Sequence, residues 1–244
     1  MREVVGIVGG LGPLASSRFL ATICRSFRDV PEQETPRILL LSDPTFPDRT
    51  EHFLRGEEEE ILARATEATR NLLALGADHI LFCCYTIHRI APRLPAEVRK
   101  RLVSLVDIAI DAALGRQGDI LLLCTNGTRK LGLFESAHHW PQLAGRVRLP
   151  NDEEQQVVHD TIYTLKKNCD PAAAQRRLAL ALCAHKVDYW LLGCTELHLL
   201  SSTRSGDFAS RDVALLDPLD HVAELIKRDT LGQAGCATRS PSVS

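Results

Sequence analysis

Two short segments of the chain, residues 77–88 and 187–198, are versions of each other, and each contains a cysteine. In both, an aspartate lies six residues before the cysteine and a histidine lies four residues after it. Two thiols at equivalent places can face one carbon from opposite sides, so that one removes a proton and the other returns one. The spacing therefore predicts a proton-transfer site formed by Cys84 and Cys194.

The rest of the chain supplies the elements that must position these thiols. Apolar, strand-like runs alternate with segments of helix length, and the alternation starts again near the middle of the chain. Such alternation is typical of α/β architecture with mostly parallel sheets. We therefore predict an α/β fold of two similar parallel-sheet domains related by pseudo-two-fold symmetry, with the active site in the crevice between them.

The repeat also predicts where the two domains begin and end. Residues 1–105 together with residues 206–228 form the first domain, and residues 106–205 form the second. The C-terminal residues have little apolar content, so residues 229–244 are predicted to be a disordered tail.

In parallel α/β sheets, ligands bind at the carboxyl ends of the strands. Both cysteines follow apolar runs, and so do the glycine turn around Gly10, Asp43 and the loop 125–128. The glycine turn matches the G-x-G-x-x-A pattern of dinucleotide-binding proteins, but Pro13 interrupts it and no acidic residue closes the second strand in the ribose-binding manner. We interpret the turn as one whose backbone N–H groups donate to a small carboxylate.

Composition and charge argue against several classes of function. The net charge is −2 without a strong basic or acidic block, so neither nucleic acid nor a membrane is an expected partner. The N-terminus lacks the pattern of a signal peptide, which leads us to expect a cytoplasmic protein. The eight cysteines are accordingly expected to be free thiols, and the absence of Cys-x-x-Cys leaves no predicted metal site.

The surroundings of the two repeated cysteines favour reactive thiols. Each is followed by a hydroxyl residue and by the start of a helix, and a helix N-terminus lowers the pKa of a thiol. His88 and His198 lie one helical turn further on. For these histidines we favour a structural role, and support of the thiolates is the alternative.

Further motifs follow in a fixed order as far as about Leu200. They are Gly9-Gly10-Leu11-Gly12-Pro13-Leu14-Ala15, Ser42-Asp43-Pro44-Thr45-Phe46-Pro47-Asp48-Arg49-Thr50, Asn126-Gly127-Thr128, Leu149-Pro150, the segment from Ile162-Tyr163 to Lys167, and Gly193-Cys194-Thr195-Glu196-Leu197. In these motifs the chain resembles the aspartate/glutamate racemase superfamily, most closely the cofactor-independent aspartate racemase branch. The resemblance implies a homodimeric isomerase that inverts an amino acid without pyridoxal phosphate or another cofactor.

The resemblance also implies roles for individual residues. Cys84 and Cys194 would exchange the α-proton, and the hydroxyls of Thr86 and Thr195 would hold the α-carboxylate. Lys167, with Lys166 as the neighbouring choice, would meet the side-chain carboxylate, where a dianionic amino acid needs a cation. The substrate-binding residues expected in all are Gly10, Arg49, Thr50, Tyr85, Thr86, Thr128, Lys167, Thr195 and Glu196.

One position departs from the family pattern. Where the family reads Cys-Asn-Thr-x-His, this chain reads Cys84-Tyr85-Thr86-Ile87-His88, so that Tyr85 could fill part of the pocket, displace the substrate or supply an acid. The expected substrate is aspartate, glutamate or a related acidic amino acid. Two alternatives stay open: a lyase or isomerase of small dicarboxylates, such as a decarboxylase or cis-trans isomerase, which Tyr85 favours, and an inactive ligand-binding member, against which both thiols argue.

Overall fold

The computed structural model describes residues 2–167, 169–202 and 213–234. The strands of these residues are Val5–Gly9 (β1), Ile38–Ser42 (β2), His79–Phe82 (β3), Leu102–Val103 (β4), Ile120–Leu123 (β5), Val147–Arg148 (β6), Tyr189–Leu192 (β7) and Ala214–Leu216 (β8). The α-helices are Pro13–Ser26 (α1), Arg49–Arg55 (α2), Glu58–Ala74 (α3), Ala96–Arg99 (α4), Leu105–Leu114 (α5), Asn126–Lys130 (α6), Trp140–Leu143 (α7), Asp152–Lys166 (α8), Pro171–Ala181 (α9) and Pro218–Lys227 (α10). Short 3₁₀ helices include Thr86–Arg93 and Thr195–Ser202, one after each repeated cysteine.

The strands form two four-stranded parallel sheets with the same strand order. The first sheet runs β2-β1-β3-β4 and the second runs β6-β5-β7-β8. Val5 pairs with His79 in the first sheet, and Ile120 pairs with Tyr189 in the second. Because this register is the same in both sheets, β1 corresponds to β5 and β3 to β7, residue by residue. The predicted α/β fold with two similar parallel sheets is confirmed.

The repeated aspartates, Asp78 and Asp188, make equivalent hydrogen bonds in the two sheets. Asp78 Oδ2 accepts a hydrogen bond of 2.8 Å from the backbone N–H of Val4, the residue before β1. Asp188 Oδ2 accepts one of 2.8 Å from the backbone N–H of Asp119, the residue before β5. Each aspartate therefore joins the start of the cysteine-bearing strand to the start of its neighbour, so the repeated aspartate has a structural role.

Strand β8 differs from the predicted division of the chain. It lies within residues 206–228, which the sequence assigned to the first domain, yet Leu216 of β8 pairs with Leu191 of β7 in the second sheet. Helix α10 then returns to pack against α1 and α5. The assignment of this strand was wrong. Pairing with a neighbouring strand decides which sheet a short edge strand joins, and the local sequence does not reveal that pairing.

The predicted C-terminal tail is described only in part. Residues 231–233 form a 3₁₀ helix, and Leu231 is buried in the central core. The described chain therefore continues in packed structure beyond residue 229, while residues 203–212 and 235–244 lie outside the described residues.

The core has one central cluster and two lateral ones. The central cluster draws apolar side chains from both halves, among them Ile7, Phe19, Ile108, Leu122 and Leu219. Burial of apolar surface shared by the two sheets is what holds them in one body, since each square ångström removed from water contributes roughly 25 cal/mol. Among the described helices, none combines the length and the apolar character that crossing a membrane requires.

Candidate active site

The two repeated cysteines lie at equivalent points of the two sheets. Cys84 follows the end of β3 by two residues, and Cys194 follows the end of β7 by two residues. Both are buried, at 8% and 7% exposure, and a 3₁₀ helix begins two residues after Cys84 and one residue after Cys194. The carboxyl ends of parallel strands therefore present both thiols, as expected for ligand-binding residues of an α/β fold.

The residue two positions after each cysteine contacts the opposite half. Thr86 Oγ1 lies 3.0 Å from Thr128 Oγ1, at the carboxyl end of β5. Glu196 lies against Gly12, at the carboxyl end of β1, so closely that a Cβ on Gly12 would be 2.2 Å from Glu196 Oε1. These two crossed contacts place the cysteine-bearing loops of both halves at one shared crevice.

A chain of threonine hydroxyls also connects the halves. Thr50 Oγ1 donates to Thr125 Oγ1 at 3.3 Å, and Thr125 Oγ1 donates to Thr128 Oγ1 at 3.1 Å. The contact between Thr128 and Thr86 continues the chain. Gly127 makes this approach possible, because a Cβ there would lie 2.6 Å from Thr50 Oγ1. Hydroxyls both donate and accept, so the chain offers hydrogen bonds that a carboxylate could take over.

Arg49 places a buried positive charge beside Cys84. Its guanidinium donates to the backbone carbonyls of Leu11, Phe46 and Pro47, and its Nε has no hydrogen-bond partner among the described residues. Burial acts to lower the pKa of Arg49, but a negative charge on Cys84 acts in the opposite direction, and the pKa is raised overall. The charges of Asp48 and Glu196 act in the same sense. Arg49 therefore places a cation next to Cys84 on the first half of the crevice.

The charge nearest to Cys194 is negative, whereas the charge beside Cys84 is positive. Its thiol donates to Glu196 Oε2 at 2.9 Å. Burial, and then the negative charge of Glu196, raise the pKa of Cys194 well above its ordinary value, although Lys166 acts to lower it. Cys194 is therefore held as a protonated thiol. The two cysteines occupy equivalent places in the fold but have opposite electrostatic environments.

Of the two lysines considered from the sequence, Lys166 faces the crevice, while Lys167, the first choice, points away from it. Lys167 is exposed at the C-terminal end of α8. Lys166 Nζ lies 3.5 Å from Asp48 Oδ2 and 4.0 Å from the ring centroid of Tyr163. Burial acts to lower the pKa of Lys166, but the negative charge of Glu196 acts to raise it, and the pKa is raised overall. One residue along a helix turns the side chain by about 100°, which takes Lys167 away from the crevice.

Tyr85 occupies the core between the two halves. It is 2% exposed, and its ring stacks on Phe134 with 5.5 Å between centroids. Burial, followed by the negative charge of Asp217, raises the pKa of Tyr85 well above its ordinary value. The phenol is therefore held protonated. In this structure Tyr85 contributes to packing, where the sequence predicted a substrate-binding residue.

Gly10 also has a structural role in this arrangement. Its φ is 79°, and a Cβ there would lie 2.2 Å from the backbone nitrogen of Asp43. Its own N–H donates to Ser16 Oγ at 3.1 Å, so that group is already occupied. The glycine permits a tight turn, which the sequence interpreted as a carboxylate-binding one.

The two repeated histidines have different partners. His88 Nδ1 donates to the carbonyl of Cys84 at 2.9 Å, and its Nε2 accepts from the backbone N–H of Leu105 at 3.1 Å. Burial lowers the pKa of His88 to about 4, so this imidazole is neutral and links the Cys84 loop to α5. The structural role favoured for His88 agrees with these contacts.

His198 instead forms a buried pair with a carboxylate. Its Nδ1 lies 2.6 Å from Asp217 Oδ2, and its Nε2 lies 2.9 Å from Thr22 Oγ1. Of the residues that the structure describes, His198, Asp217 and Asp220 form a group that could hold a metal ion, with ligand atoms within 4.8 Å of one another. Asp217 already accepts from Ser201 Oγ and from the N–H of Leu219, so its oxygens are engaged in capping α10.

Asp48 and Tyr163 belong to motifs quoted in the sequence analysis, but the sequence suggested no role for either residue. Asp48 caps α2 by accepting from the N–H of Glu51, and both of its carboxylate oxygens accept from the hydroxyl of Tyr163, at 2.9 and 2.8 Å. A signal for Asp48 exists in the sequence, because an aspartate directly before a helix is a typical N-cap. Its second task, to connect α2 with α8 across the crevice, depends on the tertiary structure.

Both crevice thiols are buried in this structure. A cavity of about 600 Å³ lies instead beyond His88, where residues 91–107 approach residues 133–138. Its position behind the loop of Cys84 separates it from the two thiols, so we assign the chemistry to the crevice on the grounds of the side chains present there.

Comparison with known proteins places this geometry in context. The model of the family described as Asp/Glu/hydantoin racemase matches residues 8–226. The structure is similar to that of an aspartate racemase from Picrophilus torridus, with 22% identity, a TM-score of 0.78 and 95% of each chain covered. It is also similar to an aspartate racemase homologue from Pyrococcus horikoshii, with 24% identity, a TM-score of 0.66 and coverage of 94% of this chain and 100% of that one. An allantoin racemase from Klebsiella pneumoniae has 15% identity and a TM-score of 0.58, with 96% and 90% covered. At these identities the structural similarity establishes the fold.

Proposed function

Since this chain belongs to the Asp/Glu/hydantoin racemase family, we propose that it is a cofactor-independent racemase of an acidic amino acid. Aspartate, glutamate or a close relative is the proposed substrate. The observation that carries the proposal is the opposite environment of two equivalent cysteines. Arg49 accompanies Cys84, while the thiol of Cys194 donates to Glu196 at 2.9 Å.

These environments supply one base and one acid. The Cys84 thiolate removes the α-proton, and the electron pair of the broken C–H bond stays on the α-carbon. The Cys194 thiol then gives its proton to the opposite face of that carbon. The product is the mirror-image amino acid, with a thiol at Cys84 and a thiolate at Cys194, ready for the reverse direction.

The carbanion requires stabilisation because no electron sink is available from the thiols themselves. We expect the hydroxyls of Thr86, Thr128 and Thr195 to donate to an α-carboxylate, which takes up negative charge from the carbanion; Thr195 would exchange its present contacts with the Cys83 carbonyl and Glu196 for this one. All three are buried, and a hydrogen bond in a buried site is stronger than one in water.

The two cations suit an acidic side chain. Arg49 Nε has no partner among the described residues, and Lys166 shares a carboxylate with Tyr163 at the opposite wall. A second carboxylate on the substrate could be held by these donors, which supports aspartate or glutamate over a neutral amino acid.

The alternative of a lyase or isomerase of small dicarboxylates loses the feature that favoured it. Tyr85 was the reason for that alternative, and its ring packs against Phe134 in the core. An inactive ligand-binding member would have no need of two thiols in opposite electrostatic environments. Both alternatives are outcomes of the experiment below.

The test follows α-deuteration and formation of the D-isomer from L-aspartate and L-glutamate in deuterated water. We expect both in the unaltered protein, and loss of D-isomer formation in Cys84→Ala and in Cys194→Ala. Cys169→Ala is the matched control, because Cys169 is an exposed cysteine outside the crevice. Full racemisation by either crevice variant would exclude the two-thiol mechanism, and a product of altered connectivity would favour the lyase.

A further inference from the structure

Two buried polar atoms in the crevice lack a hydrogen-bond partner among the described residues, and they have opposite character. Arg49 Nε is a donor, and Glu196 Oε1 is an acceptor. A buried carboxylate oxygen without a partner costs free energy, because water is lost and nothing replaces it. Such an atom in a candidate active site indicates a missing ligand group.

Glu196 is held so that only one of its oxygens is free. The residue is 3% exposed, and its Oε2 accepts from the Cys194 thiol at 2.9 Å and from Thr195 Oγ1 at 3.4 Å. Its Oε1 lies over Gly12, where the absence of a side chain leaves room for the carboxylate. The carboxylate thus stands between Cys194 and the space above the glycine turn.

The cations of the site have other partners. Lys166 Nζ lies 3.5 Å from Asp48 Oδ2, and the terminal nitrogens of Arg49 donate to backbone carbonyls. Among the described residues no donor reaches Glu196 Oε1, and Arg49 Nε is left open as well, so a bound molecule can supply the donor. A cationic N–H donor is favoured over a neutral one, because its positive charge adds Coulomb attraction to the hydrogen bond with a buried carboxylate.

We infer that Glu196 Oε1 accepts a hydrogen bond from the substrate's α-ammonium group, so that the crevice selects molecules with a free, protonated amine beside the reacting carbon. This inference rests on the proposed function and narrows its substrate class. The family includes racemases of ring compounds whose nitrogens are amides, and diacids without an amine are the substrates of the alternative reaction. Neither the ring compounds nor the diacids carry the cationic N–H donor proposed for Glu196, and a diacid would add negative charge beside the Glu196 carboxylate.

The arrangement also positions the reacting carbon. One oxygen of Glu196 holds the Cys194 thiol and the other would hold the nitrogen attached to the α-carbon. A single rigid carboxylate then sets the distance between the proton donor and the carbon that receives the proton. Such positioning is a large part of enzymatic rate enhancement.

The experiment measures binding by titration calorimetry in the Cys84→Ala background, which prevents racemisation and leaves Cys194 and Glu196 in place. The ligands are L-aspartate, succinate, which lacks the amine, and N-acetyl-L-aspartate, whose nitrogen is a neutral amide. We expect L-aspartate to bind at least about 100-fold more tightly than either analogue, because a site built for a donor rejects molecules without it.

The decisive comparison adds Glu196→Gln to this background. We expect the preference for L-aspartate over succinate to fall to less than about 5-fold, with succinate bound more tightly than before, since the repelling charge is gone. Glu196→Asp keeps the charge on a shorter side chain and should retain part of the preference. It is the variant to measure if Glu196→Gln does not fold. Glu97→Gln is the control, because Glu97 pairs with Arg70 on the surface.

The outcomes separate this inference from the proposed function. An unchanged preference in Glu196→Gln, or equal binding of L-aspartate and succinate before that change, overturns the inference even if the unaltered protein racemises aspartate. Absence of racemisation by the unaltered protein, together with an amine preference that depends on Glu196, overturns the proposed function and leaves the inference standing as a binding specificity.

Discussion

Lys166 Nζ lies 3.5 Å from Asp48 Oδ2, and the two side chains belong to opposite halves of the molecule. Asp48 ends the loop before α2 and also accepts from the hydroxyl of Tyr163 on α8. The ion pair and this hydrogen bond together join the two walls of the crevice. A substrate carboxylate that competes with Asp48 for Lys166 would loosen this connection as it binds.

The first prediction compares Lys166 with its neighbour. Lys166→Met should raise the KM for L-aspartate by about 10-fold or more, because a carboxylate loses a charge-assisted partner. Lys167→Met should change the KM by less than about twofold, since Lys167 is exposed at the end of α8. Steady-state racemisation rates of the two variants provide the measurement, and equal effects would contradict the placement of Lys166 in the site.

The second prediction concerns Gly12, whose backbone approaches Glu196. Gly12→Ala should leave the fold intact, since the φ of Gly12 is 170° and any residue can adopt it. The new methyl group would meet Glu196 Oε1 at 2.2 Å and push the carboxylate away from Cys194. We expect kcat for racemisation to fall by about 100-fold, as displacements of about 1 Å commonly cause.

Gly145→Ala is the matched control for that change. Nothing lies within 4 Å of a Cβ at Gly145, so its racemisation rate should match that of the unaltered protein. Circular dichroism of both variants should show the same secondary structure. A Gly12→Ala variant with full activity would mean that Glu196 does not need its observed position.

The third prediction concerns the repeated aspartates. Asp78→Ala and Asp188→Ala should each lower the free energy of unfolding by about 1–2 kcal/mol, because each removes a hydrogen bond between a charged side chain and a strand terminus. Urea denaturation measures this loss. Both variants should racemise normally while folded, since neither aspartate lies at the crevice. Asp29→Ala should be nearly neutral, because the Asp29 side chain is 82% exposed.

The fourth prediction is a pH dependence of stability that arises from His88. Its pKa is about 4 in the folded protein and 6.5 in ordinary surroundings, so the unfolded chain takes up a proton first as the pH falls. The neutral His88 therefore contributes about 3 kcal/mol to the free energy of unfolding above pH 6.5, and this contribution is lost as the pH falls towards 4.

His88→Gln tests this, because an amide can donate to the Cys84 carbonyl and accept from Leu105 without titrating. The unaltered protein should be the more pH-sensitive of the two between pH 7.5 and 4, as urea denaturation at each pH would show. Parallel stability curves for the two proteins would rule out a buried neutral His88.

Several features of the molecule could be predicted from the sequence because they repeat or alternate. The two cysteine segments and the strand–helix alternation indicated two similar parallel sheets, and the sheets have the same strand order. Local pattern determines such elements, since each strand carries its own apolar run. The family resemblance followed from short motifs in order, and the family model spans residues 8–226.

Other features depended on the direction in which a side chain points. Lys166 and Lys167 differ by one position in sequence, and the turn of α8 decides which of them faces Asp48. Tyr85 is adjacent to Cys84, yet its ring stacks on Phe134 of the other half. A strand end or short helix directs neighbouring residues to different sides, and no composition rule states which side is the crevice.

The sequence by itself therefore determined the fold class, the pair of thiols and the family of this protein. Only the tertiary structure decided that the thiols differ, with Arg49 beside Cys84 and Glu196 beside Cys194. The reason is physical: a thiol's protonation depends on charges that approach through space, and these charges come from loops far apart in the chain. Symmetry of sequence sets where the two cysteines lie, while the folded surroundings set which charged side chain lies beside each of them.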